Sequence, residues 1–488
     1  MQRRRRNLPP MTNRRQFLQT ALVGSGALAL PVRMLAGTSQ TDSPSASEAA
    51  KAWAQVPEIM ERIVPPRFPD RDFDVADFGA LGNNSTDCTA AFEKAIAACN
   101  AAGGGRVVVN PGQYMTGAIH LKSNVNLHIA YGATIRFTRD TSKYPTVYTR
   151  WEGVEVMNYS PFIYAFEQEN IAVTGKGTLD GNADCEHWWP WKARKDCGWK
   201  PGDHSQEEDR NHLFAMAEQG VPVEQRVFGQ GHYLRPNFIQ PYRCKNVLIE
   251  DATLYNSPMW QIHPVLCTNV TVRGLTISSY GPNTDGCDPE CCTDVLIDNV
   301  LFNTGDDCIA LNSGRNADAR RVNVPCRNVI VRNCRMQTGH GGVSLGSQCT
   351  GGISNVFVEN CEMGSRDLWF AIRIKNNAMR GGIVENIYVR DLDVKAVKTA
   401  GLAIDFYYEE GEKGTFTPVT RKVYVTNLRA QKAEYALYLR GFKNAPIEEI
   451  HLTDCQFNDV AKADVLENVK ELSLKNVSVN GKLLTQPV

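Results

Sequence analysis

A short β-branched motif that starts at a polar residue recurs through most of this chain. Its copies begin at Asn124, Asn170, Asn246, Asn269, Asp294, Asn328, Asn355, Asn386, Lys422, Glu449 and Glu471. From Asn246 onward the starts lie 22 to 36 residues apart. Repeats of this length, built from short strands without intervening helices, are typical of a solenoid. We therefore predict an all-β, single-stranded parallel β-helix in which each coil adds one strand to each of several parallel sheets.

A β-sandwich is the alternative fold, but sandwiches alternate hairpins with tight Asn-Gly or Asp-Gly turns, and this repeat does not. The open end of a solenoid must be covered, because its unpaired strand edge would bind other chains. Residues 86–102 predict an N-terminal capping helix with Phe92 and Ile96 on its buried face. Either Thr86 or Asp87 is expected to be its N-cap.

The first residues predict export. Thr12–Leu18 contains a twin-arginine pair and is followed by the apolar run Ala21–Leu30, which is too short to span a bilayer. We predict that residues 1–36 are a twin-arginine signal peptide and that the protein is periplasmic or secreted, with no membrane span. Residues 37–70 are predicted to be a linker, flexible to about residue 50, and an N-terminal extension. Residues 71–488 are predicted to form the β-helix domain.

The predicted signal peptide masks the charge of the rest of the chain. The whole sequence has 53 basic and 53 acidic residues, and residues 1–36 hold seven arginines and no acidic residue. The remainder therefore has 46 basic residues (53 − 7) and a net charge of −7 (46 − 53). Nucleic acid is excluded as a partner, because binding phosphates requires a basic surface.

The cysteines divide into two groups. Most of the 15 lie inside the repeats, where they are expected to pack as small buried hydrophobic residues. Cys185 and Cys197 lie in one loop and are the candidates for a disulfide. No pair has the Cys-x-x-Cys spacing of a zinc site, and no metal or other cofactor is expected.

One segment interrupts the repeat. Residues 183–233 form an insertion with four tryptophans, which are Trp188, Trp189, Trp191 and Trp199. A long insertion in a compact fold is usually functional. Because indole faces stack well on sugar rings, we place this insertion beside a binding cleft.

Four polar motifs follow one another in phase with the repeat. They are Asn283–Asp285, Gly305–Asp307, Gly339–Gly341 and Arg373–Lys375. Each falls at or near the second strand of one of four successive coils. A parallel stack would therefore bring them into one column on an outer face. Adjacent Asp306 and Asp307 can both reach that face only if the backbone bends there, and Gly305 is expected to supply the freedom to bend.

The residue types in this column suit the cleavage of a glycosidic bond beside an acidic sugar. Hydrolysis needs one protonated carboxyl group and one carboxylate. Among three clustered aspartates, repulsion raises one pKa, and that residue becomes the acid. His340 can hydrogen-bond a neighbouring carboxyl group. Arg373 and Lys375 lie two apart on a strand and can form a cationic pocket for a sugar carboxylate.

At these motifs the chain resembles the polygalacturonases, glycoside hydrolase family 28, from about Phe73 to the C-terminus. The resemblance implies a right-handed parallel β-helix and an inverting hydrolysis of the α-1,4 galacturonosyl linkages of pectin. It implies that Asp306 is the general acid, supported by His340. It also implies that Asp285 and Asp307 together position and deprotonate the water.

The resemblance further implies the residues that bind the substrate, an acidic polysaccharide or oligosaccharide. Arg373 and Lys375 would hold the galacturonate carboxylate, with Asn283 also contributing to binding. The family uses one further tyrosine, for which Tyr408 is the best match and Tyr407 the second choice.

Several functions remain as alternatives. Retention of His340 and of the Arg-x-Lys pair favours galacturonan over rhamnogalacturonan or xylogalacturonan. The insertion favours exo over endo action, because it would wall off one end of the cleft. A pectate lyase would need Ca²⁺, for which clustered carboxylates such as Asp288 and Glu290 are candidates. A non-catalytic carbohydrate-binding protein would gain nothing from clustered acids. We expect the enzyme to be a monomer.

Overall fold

The computed structural model describes residues 44–365 and 367–484. The predicted signal peptide and the first seven residues of the predicted linker lie outside the described residues. Among the residues described, no helix combines the length and the apolar character needed to cross a bilayer.

The described chain contains five α-helices and thirty-four strands. The helices are α1 Pro44–Trp53, α2 Val56–Arg62, α3 Thr89–Ala101, α4 Gln206–Glu218 and α5 Asn316–Val322. The first seventeen strands are β1 Asp72–Asp74, β2 Asn83–Asp87, β3 Gly105–Val109, β4 Gly112–Thr116, β5 Ile119–His120, β6 Val125–Ile129, β7 Ala133–Phe137, β8 Thr146–Trp151, β9 Val154–Tyr159, β10 Ile163–Phe166, β11 Glu169–Thr174, β12 Thr178–Asp180, β13 Ile239–Tyr242, β14 Lys245–Glu250, β15 Thr253–Tyr255, β16 Thr268–Arg273 and β17 Thr276–Ser279.

The remaining strands are β18 Thr293–Asp298, β19 Leu301–Thr304, β20 Ile309–Leu311, β21 Cys326–Arg332, β22 Arg335–Leu345, β23 Ile353–Met363, β24 Leu368–Lys375, β25 Ile383–Val394, β26 Ala400–Asp405, β27 Val419–Ala430, β28 Tyr435–Arg440, β29 Ile447–Thr453, β30 Gln456–Phe457, β31 Val465–Glu467, β32 Val469–Lys475, β33 Val477–Val479 and β34 Lys482–Leu484. Short 3₁₀ helices cover Val75–Phe78, Thr141–Lys143, Trp189–Lys192, Lys195–Cys197 and Val223–Gln225.

The strands stack into three parallel sheets, which confirms the predicted parallel β-helix. The first sheet runs from β1 and β3 through β6, β11, β14, β16, β18 and β21 to β32, and it contains the repeat motifs. The second runs from β2 and β4 through β7, β12, β15, β17 and β19. Long strands such as β23 and β25 bend through both sheets. The third contains β5, β10, β13, β20, β22, β24, β26, β28 and β31.

The polar residue that starts each repeat has a structural role. All eleven repeat starts have left-handed backbone dihedrals, for example Asn246 (φ 56°) and Asn328 (φ 55°). Asparagine tolerates this conformation better than most residues. The side-chain amide of one coil also donates to the side-chain oxygen of the preceding coil, as from Asn246 to Asn170 (2.8 Å) and from Asn269 to Asn246 (2.7 Å). The repeat signature therefore marks a hydrogen-bonded turn ladder.

The interior is filled as predicted with Val, Ile, Leu and Cys side chains from all three sheets. Helix α3 covers the N-terminal end, with Phe92 and Ile96 buried against this core. Its N-cap is Cys88 rather than Thr86 or Asp87. Asp87 nevertheless helps to cap α3, because its carboxylate accepts a hydrogen bond from the backbone N–H of Thr89 at 2.9 Å.

The prediction of a linker that is flexible to about residue 50 was wrong for the residues from 44 onward, because residues 44–63 are largely helical. They form α1 and α2, whose buried Val56 and Ile59 pack on an aromatic stripe of the first sheet that includes Phe357. Arg62 donates two hydrogen bonds to the carboxylate of Asp294 (3.0 and 2.9 Å). The Ser- and Ala-rich composition of α1 concealed that helix, and short helices such as α1 and α2 depend on tertiary packing for their stability.

The described chain also departs from the regular coil in an antiparallel hairpin, β8–β9. Its turn, at Glu152 and Gly153, reaches the start of α5, where Arg315 donates its backbone N–H to the Gly153 carbonyl at 3.0 Å. The insertion at 183–233 contains α4 and three of the 3₁₀ helices. The predicted disulfide between Cys185 and Cys197 is present, and the other thirteen cysteines are free and buried.

Candidate active site

The four motifs converge on the edge and outer face of the third sheet. Asp285 precedes the bridge residue Cys287, and Asp306 and Asp307 precede β20, which pairs with β22. His340 lies in β22, which pairs with β24, the strand that carries Arg373. The prediction of neighbouring coils is confirmed. The strand predicted to be the second in each coil belongs to the third sheet. A further sheet, which includes β19, lies between the first sheet and this one.

Three carboxylates form the centre of the site. One oxygen from each of Asp285, Asp306 and Asp307 lies within 4.8 Å of the others. The chain bends at Gly305 between β19 and β20, as predicted, but φ there is not in the left-handed region. The reason for glycine is steric, since a Cβ at Gly305 would lie 2.1 Å from the carbonyl oxygen of Gly281.

Asp306 is held by the histidine predicted to support it. His340 Nδ1 lies 2.9 Å from Asp306 Oδ1. The Asn283 amide is 3.5 Å from the second oxygen, Oδ2. Asp306 also accepts from the backbone N–H of Asp307 at 3.0 Å, so its orientation is fixed on several sides.

The cationic pair divides its roles. Lys375, only 6% exposed, donates to Asp307 Oδ2 at 2.7 Å. The Arg373 guanidinium lies over the ring of Tyr408 (5.2 Å) and makes no ion pair with the described part of the chain. Tyr408 lines the same cavity as the three aspartates, whereas Tyr407 does not. The first choice of tyrosine is thus the one that the fold brings to the cluster.

The electrostatics place the raised pKa on a different aspartate from the one that the resemblance suggests. Burial, followed by the charge of Asp306, raises the pKa of Asp285 well above its ordinary value. Burial also pushes the pKa of Asp306 upward, but the hydrogen bond and charge of His340 outweigh it and leave that pKa lowered. The same contact raises the pKa of His340 despite its burial. In the free site one proton is therefore shared between Asp306 and His340.

A second buried acid lies beside the cluster. Asp288 is fully buried, and neither of its oxygens has a hydrogen-bond partner among the described residues. Burial and the charges of Asp307 and Asp306 raise its pKa well above the ordinary value, so it is held neutral. The three central carboxylates are close enough to hold a cation, but His340 and Lys375 already neutralise two of them. Their chemistry therefore fits acid–base work better than a metal centre.

Arg235 is a functional residue that the sequence reasoning missed. Its buried guanidinium donates to Gln206 of α4, to the carbonyls of Pro258 and Pro282, and to the side chain of Asn283 at 2.7 Å. Burial lowers its pKa to about 10. Arg235 belongs to no motif in the sequence, and only its contacts show that it fixes Asn283.

The cavity at the cluster has a volume of about 200 Å³, which is smaller than the roughly 300–1,000 Å³ of a typical drug-sized ligand pocket. Its lining includes Lys192 and Arg210 of the insertion, Glu152 of the β8–β9 hairpin, and Arg315 and Glu409. The insertion thus lies beside the cleft, as predicted.

The reason given for this position is not supported, because three of the four tryptophans pack against the core. Trp188 is part of the core, and the Trp189 indole N–H donates to the Ser257 carbonyl at 2.9 Å. None of the four tryptophans of the insertion lines the described cavity. The insertion presents cations to the cleft instead.

A parallel β-helix with clustered acids, a histidine and cations on its third sheet defines a glycosidase. A profile of the glycosyl hydrolases family 28 matches residues 228–479. The chain belongs to this family.

Relatives extend the match over most of the chain. An exopolygalacturonase from Thermotoga maritima of known crystal structure is 45% identical, with a TM-score of 0.86 over 89% of this chain and 97% of its own. A probable polygalacturonase of Vitis vinifera is 28% identical over 413 residues, covering 80% of this chain and 74% of the relative. An exo-poly-alpha-D-galacturonosidase of Dickeya chrysanthemi is 25% identical over 461 residues, covering 84% and 74%.

Proposed function

We propose that this protein is an exo-acting polygalacturonase that hydrolyses α-1,4 galacturonosyl linkages of pectin. The observation that carries the proposal is the carboxylate cluster beside Arg373, a cation without an ion-pair partner in the described chain. A cationic pocket next to an acid–base cluster suits a sugar that bears a carboxylate. The names of the similar proteins agree with this substrate.

Asp306 delivers the proton to the leaving oxygen in this proposal. The bond between His340 Nδ1 and Asp306 Oδ1 (2.9 Å) carries one transferable proton, whichever of the two atoms holds it in the free enzyme. As negative charge develops on the leaving oxygen, the proton passes to it through Asp306, and His340 ends neutral. The histidine thus supplies an acid although the pKa of Asp306 itself is lowered.

Asp285 and Asp307 activate the water. Asp307 accepts its proton, and Asp285 holds the water by a hydrogen bond. The ion pair of Asp307 with Lys375 at 2.7 Å makes that carboxylate a poor nucleophile toward carbon, which favours inversion over a covalent intermediate. The carboxylates lie closer than the roughly 6.5–9.5 Å usual for inverting enzymes, so the anomer of the first product, read by proton NMR, tests this step.

The lining of the cavity supports exo action. We infer that Lys192, Arg210 and Glu152, which line it, block the path of a longer polymer, so that a chain end enters first. The two cations from the insertion face the position of the terminal sugar and suit its carboxylate. Arg373 and Lys375 then take the carboxylate on the other side of the scissile bond.

Chromatography of early products from polygalacturonate tests the function directly. We expect galacturonate monomer alone, in saturated reducing form, and full activity in the presence of a chelator. A ladder of oligomers would refute exo action, and an unsaturated, Ca²⁺-dependent product would identify a lyase. Asp306→Asn should lower kcat by about 10³-fold or more while substrate still binds, because an amide cannot donate the proton. An unchanged rate would refute the acid assignment.

We also infer that the enzyme is exported by the predicted twin-arginine signal, acts outside the cytoplasm as a monomer and needs no cofactor. The polymeric substrate that we propose supports the location. Fractionation of cells, with Arg14 and Arg15 replaced by lysine as the control, tests the export signal. Retention of the double variant in the cytoplasm is the expected result.

A further inference from the structure

Trp369 is an exposed aromatic residue beside the site for which the proposed mechanism has no use. It lies on β24, one coil beyond His340, and its side chain is 37% exposed. Its neighbours Leu368 and Phe370 pair with Gly339 and Gly341, so Trp369 lies laterally next to His340. It does not belong to the insertion, and none of the four motifs includes it.

The Trp369 indole packs directly on the imidazole. The ring centroids are 4.2 Å apart with an interplanar angle of 33°, an arrangement close to stacking. Lys398, on the next coil, places its ammonium group 4.7 Å from the centre of the indole. Backbone hydrogen bonds from Lys398 to Leu368 and from Thr399 to Trp369 (both 2.8 Å) fix the coils in this order. The indole therefore lies between two cationic groups.

We propose that Trp369 is a positioning residue that holds the His340 imidazole against Asp306 and stabilises its protonated form. This inference rests on the proposed function, in which the proton shared by His340 and Asp306 reaches the leaving oxygen. The face of an aromatic ring attracts a cation within about 6 Å. Contact with the ring also restrains rotation of the imidazole about its Cβ–Cγ bond, in addition to the restraint from the hydrogen bond to Asp306.

A role as a sugar platform is the competing explanation, and the geometry disfavours it. A sugar stacks on a free aromatic face, but His340 and Lys398 lie over this indole from the coils on either side.

The other charges around His340 define what a pH measurement reports. Asp306 and Asp307, from the bend before β20, favour the protonated imidazole, whereas Arg373 of β24 opposes it. Lys398 is the remaining cation, and the indole separates it from the imidazole. Replacing Trp369 leaves all four of these charges in place, so a change in His340 titration reports the indole.

The test compares Trp369→Leu with Trp369→Phe, which keeps a ring face, and with Lys398→Gln. Tyr255→Leu is the control, because Tyr255 is similarly exposed (39%) and lies on β15 of the second sheet. His340 titration is followed by NMR in the free enzyme, with His340→Gln to assign the signal. The pH dependence of kcat is measured on polygalacturonate. Circular dichroism shows that each variant is folded, and Trp369→Phe decides the question if Trp369→Leu does not fold.

We expect Trp369→Leu to move the His340 titration and the alkaline limb of the kcat profile down by about half a pH unit, the size that a partly exposed cation–π contact supports. Trp369→Phe should show a smaller shift than Trp369→Leu. Lys398→Gln should move the His340 titration in the opposite direction or not at all. The KM of each of these variants should stay within about twofold of the wild-type value. An unmoved titration overturns the proposal, as does a large rise in KM with an unmoved alkaline limb. The NMR titration needs no substrate, so it stands even if polygalacturonate is not hydrolysed.

Discussion

At the scale of the residue, single contacts hold the acid–base cluster in place, such as the hydrogen bond from Arg235 to Asn283 (2.7 Å). Asp285, Asp306 and His340 could be predicted to meet because each motif falls in phase with the repeat. Arg235 and Trp369 act through single contacts that leave no pattern in the sequence. The proton on Asp285 could not be foreseen either, because burial and the ion pair at Asp306 decide which carboxylate ionises.

Removal of the positive charge of Arg373 should weaken the binding of an acidic sugar. Arg373→Gln leaves no buried charge without a partner, because Arg373 has no ion pair in the described chain. A charge-assisted hydrogen bond contributes about 1.5–3 kcal/mol, so kcat/KM on polygalacturonate should fall roughly 10- to 100-fold. The loss should appear mainly in KM in steady-state kinetics. An unchanged KM would show that the sugar carboxylate binds elsewhere.

Lys375→Met should behave differently from Arg373→Gln. Loss of Lys375 leaves Asp307 buried without its cation, and a buried unpaired charge costs several kcal/mol. We therefore expect a lower melting temperature as well as a lower kcat in Lys375→Met, whereas Arg373→Gln should melt like the wild type. Equal melting temperatures for the two variants, by calorimetry, would contradict the contrast.

Asp288 should make the fold less stable as the pH rises. Its pKa is raised in the folded protein, so the unfolded chain ionises first, and the free energy of unfolding falls from about pH 4 up to the raised pKa. The slope from this one group is at most about 1.4 kcal/mol per pH unit. Asp288→Asn, which stays neutral, should flatten the dependence in urea denaturation. Asp393→Asn, exposed on β25, is the control and should leave the slope unchanged.

At the scale of the element, the repeat predicted the strands well and the irregular parts poorly. The polar repeat starts mark turns with left-handed dihedrals, and the apolar positions that follow face the core. Helix α3 could be predicted because it has its own apolar face. Helix α1 has a Ser- and Ala-rich composition and α2 is only seven residues long, and both pack on an aromatic stripe of the first sheet.

The N-terminal helices should contribute measurably to stability. Ile59→Ala removes a buried side chain from the contact between α2 and the first sheet, so the free energy of unfolding should fall by about 2–4 kcal/mol. Glu61→Ala, on the exposed side of the same helix, should change it by less than about 0.5 kcal/mol. Chemical denaturation measures both. Similar values for the two variants would mean that α2 detaches before the β-helix unfolds.

At the scale of the whole molecule, the stack of coils explains how residues almost ninety positions apart share one site. Successive coils add strands at about 4.8 Å spacing, so Asp285 and Arg373 are brought within a few rungs of each other. The sequence could predict this because the period is short and regular. It placed the insertion beside the cleft, but it could not predict that the hairpin β8–β9 also lines the cavity, because this hairpin follows no period.

The interior of the stack should also protect its thiols. All thirteen free cysteines are buried, and burial raises the pKa of several of them, including Cys287 and Cys334. A buried thiol is unreactive because only the thiolate attacks. We expect less than one cysteine per molecule to react with a thiol reagent in the native protein and all thirteen to react in denaturant. Extensive native labelling would contradict this packing of the coils.

The Arg235 guanidinium connects the insertion to the acid–base cluster. One of its nitrogen atoms is bonded to Gln206 of the insertion and another to Asn283 beside the proton donor. Trimming the insertion to open the cleft would thus strip an acceptor from a fully buried cation and loosen the asparagine as well. A protein engineer who wants an enzyme that cuts in mid-chain must redesign the support beneath the acid together with the barrier.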